Sequence, residues 1–179
     1  MDRTTIIATL IAEHERFNAY LGSLSEADFL YAAPGKWTSG QQLDHVRRSV
    51  KPVVLALRLP KFALKFLFGT ANRPSKSYEE LVKKYQSKLK HAVTPPALFR
   101  PNAIVFQNRE ALGKQCMQAV QNLRQALGTW SEADLDRYIL PHPLLGKITV
   151  REMMYFTIYH AEHHANLVQF YLNERSKAI

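Results

Sequence analysis

VREMMYFTIYHAEHHANLVQFYLN, residues 150–173, is the stretch that decides the fold. A helix advances by about 100° per residue, so His160 and His164 lie about 40° apart and project from one face, a single turn from each other. Met153, Thr157, Leu167 and Tyr171 fall within about 60° of His160 on the same wheel, which sets both imidazoles on the stripe that the helix buries. His163 falls on a flank with Phe156 and Phe170 and is the weaker candidate for any shared site.

Upstream of this helix the same periodicity recurs. Ile6, Ile7, Leu10, Ile11, His14, Phe17 and Leu21 predict a first helix over residues 4–21, with Gly22 as its stop. Trp37-Thr38-Ser39 offers capping hydroxyls for a second helix that starts near Ser39, with a kink expected at Pro52 and a break near Pro60. A third helix reads from Ile104 to Leu127, with Leu112, Cys116, Ala119, Val120 and Leu123 on one stripe and Gly128 after it. No alternating segment competes with the helical reading. The expected fold is therefore all-α, a four-helix bundle formed by the single domain 1–179.

Between helices two and three the chain makes an additional helical excursion. From Gly69 to Pro101 it carries prolines at 74, 95, 96 and 101 around one basic helical piece, Tyr78 to His91, which reads as a lid. Ser25-Glu26-Ala27-Asp28 recurs as Ser131-Glu132-Ala133-Asp134, and Lys36-Trp37-Thr38 resembles Lys147-Ile148-Thr149. The spacings differ, and shared capping chemistry explains this echo as well as duplication does.

Composition narrows the function. The net charge is +9 and the pI about 9.7, but the basic residues are spread from Arg47 to Lys65, Lys83 to Lys90, Arg109 to Arg124 and Arg175 to Lys177. No nucleic-acid motif accompanies them, so no nucleic-acid partner is expected. The lone Cys116 excludes an internal disulfide and fits a reducing, cytoplasmic address. Glu13, His14 and Glu15 interrupt the first apolar run, which excludes a signal peptide, and no run reaches the roughly 20 apolar residues that a membrane span needs.

Leu55 to Phe68 interleaves Arg58, Lys61 and Lys65 with Leu59, Phe62, Leu64, Phe66 and Leu67, as a membrane-surface helix does. A kinked helix continuing along the bundle, a lid or a dimer face needs the same apolar residues. That reading is preferred here over membrane contact.

His45, in the run Gln41-Gln42-Leu43-Asp44-His45-Val46, is the best placed third histidine. Facing helices of a bundle build metal sites in this way, and three neutral imidazoles leave one position of a divalent ion open, as catalytic zinc sites do. Asp44 and Glu162 adjoin these histidines in sequence, with helical directions that point to solvent or to outer support rather than coordination. Histidines on an apolar stripe equally serve as packed core residues, and the pattern alone leaves both readings open. Trp37 and Trp130 read as packing residues beside helix ends. Tyr155, Tyr159 and Tyr171 read as lining or filling a cavity. The absence of a His-Glu-x-x-His motif removes the protease reading.

Trp37-Thr38-x-x-Gln41-x-Leu43-x-His45, His142-Pro143-x-Leu145-Gly146-x-Ile148-Thr149 and His160-x-x-x-His164 together resemble the DinB-like family of bacterial proteins. The similarity covers most of the chain, with residues 60–100 the least typical part. The resemblance implies a four-helix bundle, a site for a divalent metal ion, nickel or zinc, whose ligands fall on His45, His160 and His164, and a homodimer. The family name refers to induction by DNA damage, a stress response. The resemblance further implies a metal-dependent enzyme, a thiol S-transferase or hydrolase, that acts on a small electrophilic substrate with a low-molecular-weight thiol. It points to no catalytic side chain beyond the water or thiolate that the ion holds. The alternative is a non-catalytic metal-binding or membrane-surface interaction module.

Overall fold

The structure, a computed structural model, describes residues 1–90 and 94–177. Eight α-helices and one two-stranded hairpin make up the described fold: α1 (Arg3–Gly22), α2 (Glu26–Phe29), α3 (Ser39–Arg58), α4 (Lys61–Phe68), α5 (Tyr78–Leu89), α6 (Arg109–Leu127), α7 (Glu132–Arg137), β1 (Ile139–His142), β2 (Gly146–Thr149) and α8 (Val150–Lys177). The four long helices form the bundle. α6 packs against α1 and α3, and α8 packs against α1 and α3, so α1 and α3 occupy opposite corners.

Their ends are set by local chemistry. The Thr38 hydroxyl accepts the Gln41 N–H at 3.1 Å while Gln41 Oε1 accepts the Thr38 N–H at 3.0 Å, a capping box that opens α3. The α8 start repeats it, with Thr149 Oγ1 accepting the Glu152 N–H at 3.1 Å and Glu152 Oε2 accepting the Thr149 N–H at 2.9 Å. Ser131 and Asp134 form a further capping box at α7, and the Ser25 hydroxyl caps α2 by accepting the Asp28 N–H. Capping chemistry thus accounts for the sequence echo between the two halves.

α3 runs through Pro52 to Arg58. Proline removes one backbone donor there, while Val50, Val53, Val54 and Leu57 on either side are buried and hold the helix to the core. The break expected near Pro60 is present, with Leu59 ending α3 and Pro60 preceding α4. α6 starts at Arg109 rather than Ile104, after a 3₁₀ turn at Phe106–Asn108. The basic piece of the excursion is helical from Tyr78 to Leu89, and its expected end, His91, lies outside the described residues.

The all-α expectation holds, with the addition of one short hairpin that the sequence did not reveal. Ile139–His142 pairs antiparallel with Gly146–Thr149, in the register Ile139 to Thr149 and His142 to Gly146. Strands of four residues carry too few alternations to register as a period, and Pro141 masks the first of them. Gly146 closes the turn at φ 73°, a left-handed conformation in which a Cβ is strained.

The interior divides into two apolar clusters along the bundle. One includes Ile6, Leu10, Val54, Leu123, Leu127 and Ile158, and the other Phe17, Leu43, Val46, Leu112, Cys116 and Val168. Each fully buried Leu or Phe stabilises the fold by about 2 kcal/mol, which is why helices of ordinary propensity persist here. Burial also pushes the Cys116 thiol up to about 12, so the one cysteine is an inert core residue. No described helix is long and apolar enough to cross a membrane.

Candidate metal centre

α3 contributes His45 and α8 contributes His160 and His164, and all three are buried where these helices pack. Their Nε2 atoms converge. His160 Nε2 lies 3.2 Å from His45 Nε2 and 3.0 Å from His164 Nε2, and the three candidate ligand atoms fall within 4.8 Å of one another. Metal–imidazole bonds of about 2.0–2.1 Å at tetrahedral or octahedral angles set neighbouring nitrogens about 2.9–3.4 Å apart. Both close pairs have that separation.

The outer nitrogens of two of the rings have partners. His45 Nδ1–H donates to the Phe99 carbonyl at 2.7 Å, and His164 Nδ1–H donates to Gln42 Oε1 at 2.5 Å. An imidazole that donates through Nδ1 in its neutral form leaves a lone pair on Nε2. Carbonyl or amide oxygens behind ligand histidines are the usual means of fixing that tautomer. Burial holds all three imidazoles below their ordinary pKa, and for His160 and His164 the neighbouring imidazoles add to the effect. The cluster is therefore neutral at neutral pH, with lone pairs rather than positive charges meeting at its centre. Three histidines positioned in this way fit a divalent metal ion.

Asp44 and Glu162 keep clear of the imidazoles, in line with their helical directions. Asp44 is buried all the same: its carboxylate takes Arg47 at 2.5 Å, Arg48 at 2.7 Å and the Asn102 N–H at 3.1 Å. These cations hold it below the usual carboxylate range in spite of desolvation. Asp44 thereby fastens the chain beyond Phe99 to α3, next to the carbonyl that orients His45. Glu162 lies on the far side of α8 with Glu13 and Tyr78. His163 stays outside the cluster, half-buried, its ring 5.9 Å from that of Tyr85.

The cluster opens on a cavity of about 780 Å³, lined by Trp37, Tyr85, Phe99, His142, Phe156 and Tyr171 among others. Trp37 does more than pack beside a helix end, because its ring lies against the His45 ring, 4.9 Å between centroids with the planes tilted by 46°. Trp130 behaves as a core residue and donates its Nε1–H to the Leu57 carbonyl at 3.2 Å. Of the three tyrosines, Tyr171 lines the cavity, Tyr159 accepts from Gln86 at 2.8 Å, and Tyr155 bonds to Met1.

His142 and Gln42 are the cavity and support residues that sequence reasoning passed over. His142 Nδ1 accepts the N–H groups of Leu144 and Leu145, each at 3.1 Å, so its proton sits on Nε2, and burial pushes its pKa down to about 4. His142 is thus a neutral N–H donor in the same cavity. The only signal for it was its place in the His-Pro segment before β2. For Gln42 the signal was its position three residues before His45, one turn along α3.

No curated protein matches the chain at a significant level. The model of the DinB superfamily, in contrast, matches residues 9–168, which include all three histidines, and on that match the chain belongs to the DinB superfamily.

Proposed function

We propose that the protein is a metal-dependent enzyme that holds nickel or zinc through His45, His160 and His164 and acts on a small electrophilic substrate, as a thiol S-transferase or a hydrolase. The observation that carries this reading is the convergence of three neutral Nε2 atoms, two of them backed by oxygen acceptors, at the floor of a cavity. When bound, the ion supplies Lewis acidity that makes a thiol or water a nucleophile at neutral pH. A purely structural ion is normally closed off by a fourth protein ligand. Here the cluster contains no fourth His, Cys, Asp or Glu among the described residues, and all three histidines line the cavity.

The chain's own residues set the rest. Phe99 and Gln42 aim His45 and His164, while Trp37, Tyr85 and Phe156 give the cavity apolar walls that exclude water from an electrophile. His142 lines the same cavity, and its Nε2–H would donate to an electronegative atom of the substrate. The decisive experiment couples metal analysis to turnover. Purified protein is expected to carry about one equivalent of nickel or zinc, and His160→Ala to weaken metal affinity by more than about a hundredfold, beyond the loss typical of outer-shell changes. The same variant should abolish conversion of electrophile-plus-thiol mixtures. Metal-free protein, or a variant with unchanged affinity and turnover, overturns the reading.

A further inference from the structure

Packing within the bundle takes up only part of the stretch from Leu55 to Phe68. In α4, Leu64 is fully buried and anchors the helix, whereas Phe62 is 78% exposed and Phe66 89% exposed. These two rings stand one turn apart on one outward face. Leu55, Leu59 and Leu67, at 66%, 40% and 56% exposure, adjoin them. An exposed apolar group of this size on a soluble chain marks a contact surface.

The segment that carries these residues has charge of one sign. Between Asp44 and Glu79 the chain has no acidic residue and eight Lys or Arg. Arg47 and Arg48 are taken up by Asp44, Lys61 by Asp134 and Arg73 by Glu152. Arg58 and Lys65, close in sequence to the exposed rings, and Lys51, one turn before Leu55, pair with no carboxylate among the described residues. Outward Phe and Leu flanked by unpaired Lys and Arg are the features that seat a helix in an anionic lipid interface. A two-fold contact with a second copy would instead set Arg58 and Lys65 against the same cations of the other chain.

We infer that α4 and the last two turns of α3 form a docking face for an anionic membrane surface, with Phe62 and Phe66 entering the acyl boundary and Lys51, Arg58 and Lys65 meeting lipid phosphates. This inference is independent of the metal reading. The contact is peripheral, since no described helix can cross a bilayer. Each cation contributes about a fivefold gain in partition near an anionic leaflet, so salt weakens the binding.

The test is co-sedimentation of the full chain with phosphatidylcholine vesicles with and without phosphatidylglycerol. The expected result is binding to the anionic vesicles alone, reversed by high salt, and reduced more than tenfold in Phe62→Ser/Phe66→Ser with its melting temperature and metal content unchanged. Arg58→Glu/Lys65→Glu should lose binding to a similar extent. Absence of binding to anionic vesicles at low salt, or binding that survives Phe62→Ser/Phe66→Ser, overturns the inference. So does a dimer in sedimentation equilibrium that Phe62→Ser/Phe66→Ser dissociates, because the face then belongs to a second copy.

Discussion

Gln42 holds His164 by the nitrogen that faces away from the other two imidazoles, and through that one bond it sets which lone pair meets an ion. Gln42→Ala should lower metal affinity about 10–100-fold with little change in stability, whereas Gln42→Glu should preserve it, as competition with a chromophoric chelator will measure. His14 is a histidine of another kind. Its Nδ1–H donates to the Leu10 carbonyl at 2.8 Å, its buried Nε2 has no partner among the described residues, and burial lowers its pKa from 6.5 to about 4. Between those values the unfolded imidazole binds a proton that the folded one refuses, so stability falls as pH falls through this window, by about 3 kcal/mol in all. Above 6.5 the group adds no pH dependence. His14→Leu should reduce the fall in melting temperature between neutral pH and about 4, leaving the part contributed by His142 and the other histidines whose pKa values burial lowers. His14 and His160 both occupy an apolar stripe in the sequence. Only the second imidazole four residues on separates them there, because the packing partner of each ring comes from a distant segment.

At the scale of elements, two buried carboxylates are among the groups that fasten the excursion between α3 and α6. Glu152, fully buried at the start of α8, takes Arg73 at 2.7 Å and the Lys76 N–H at 2.8 Å. Asp44 takes the Asn102 N–H, three residues after the 3₁₀ turn Ala97–Phe99 that packs on α3. Asp44→Ala strands Arg47 and Arg48 and frees that segment. The expected cost is about 3 kcal/mol of stability, read by chemical denaturation. Faster amide exchange over residues 97–102 and weaker metal affinity should accompany it, since the Phe99 carbonyl loses its hold on His45. Legibility in the sequence follows the range of the forces involved. The long helices declare themselves because periodicity and caps are local. Asp44 does not, because an acid read on its own helix points outward, and only the segment arriving at Asn102 covers it. The hairpin stays hidden for want of length, and its consequence, the Nδ1 contacts of His142, stays hidden with it. His45 rests on the family pattern at the level of sequence, since nothing in α3 alone says which helix it faces.

For the whole molecule, a ligand that binds only the folded chain stabilises it by mass action. At a free metal concentration one hundred times the dissociation constant the gain is about 2.7 kcal/mol, which for a chain of this size corresponds to about 5–10 °C in melting temperature. Zinc or nickel should produce that rise, a chelator should reverse it, and His160→Ala should show none of it in differential scanning calorimetry. Acid should remove it as well: protons compete for the same lone pairs, and since all three imidazoles titrate below 6.5, the rise should persist at pH 6.5 and vanish at lower pH.

The corner-to-corner placement of α1 and α3 reaches further, into the order of assembly. α8 fills the gap between those two helices and brings two of the three imidazoles with it. Until α8 docks, the bundle offers only His45 of the three, and the cluster cannot form in a half-built bundle. Assembly of the cluster is therefore a readout of α8 docking.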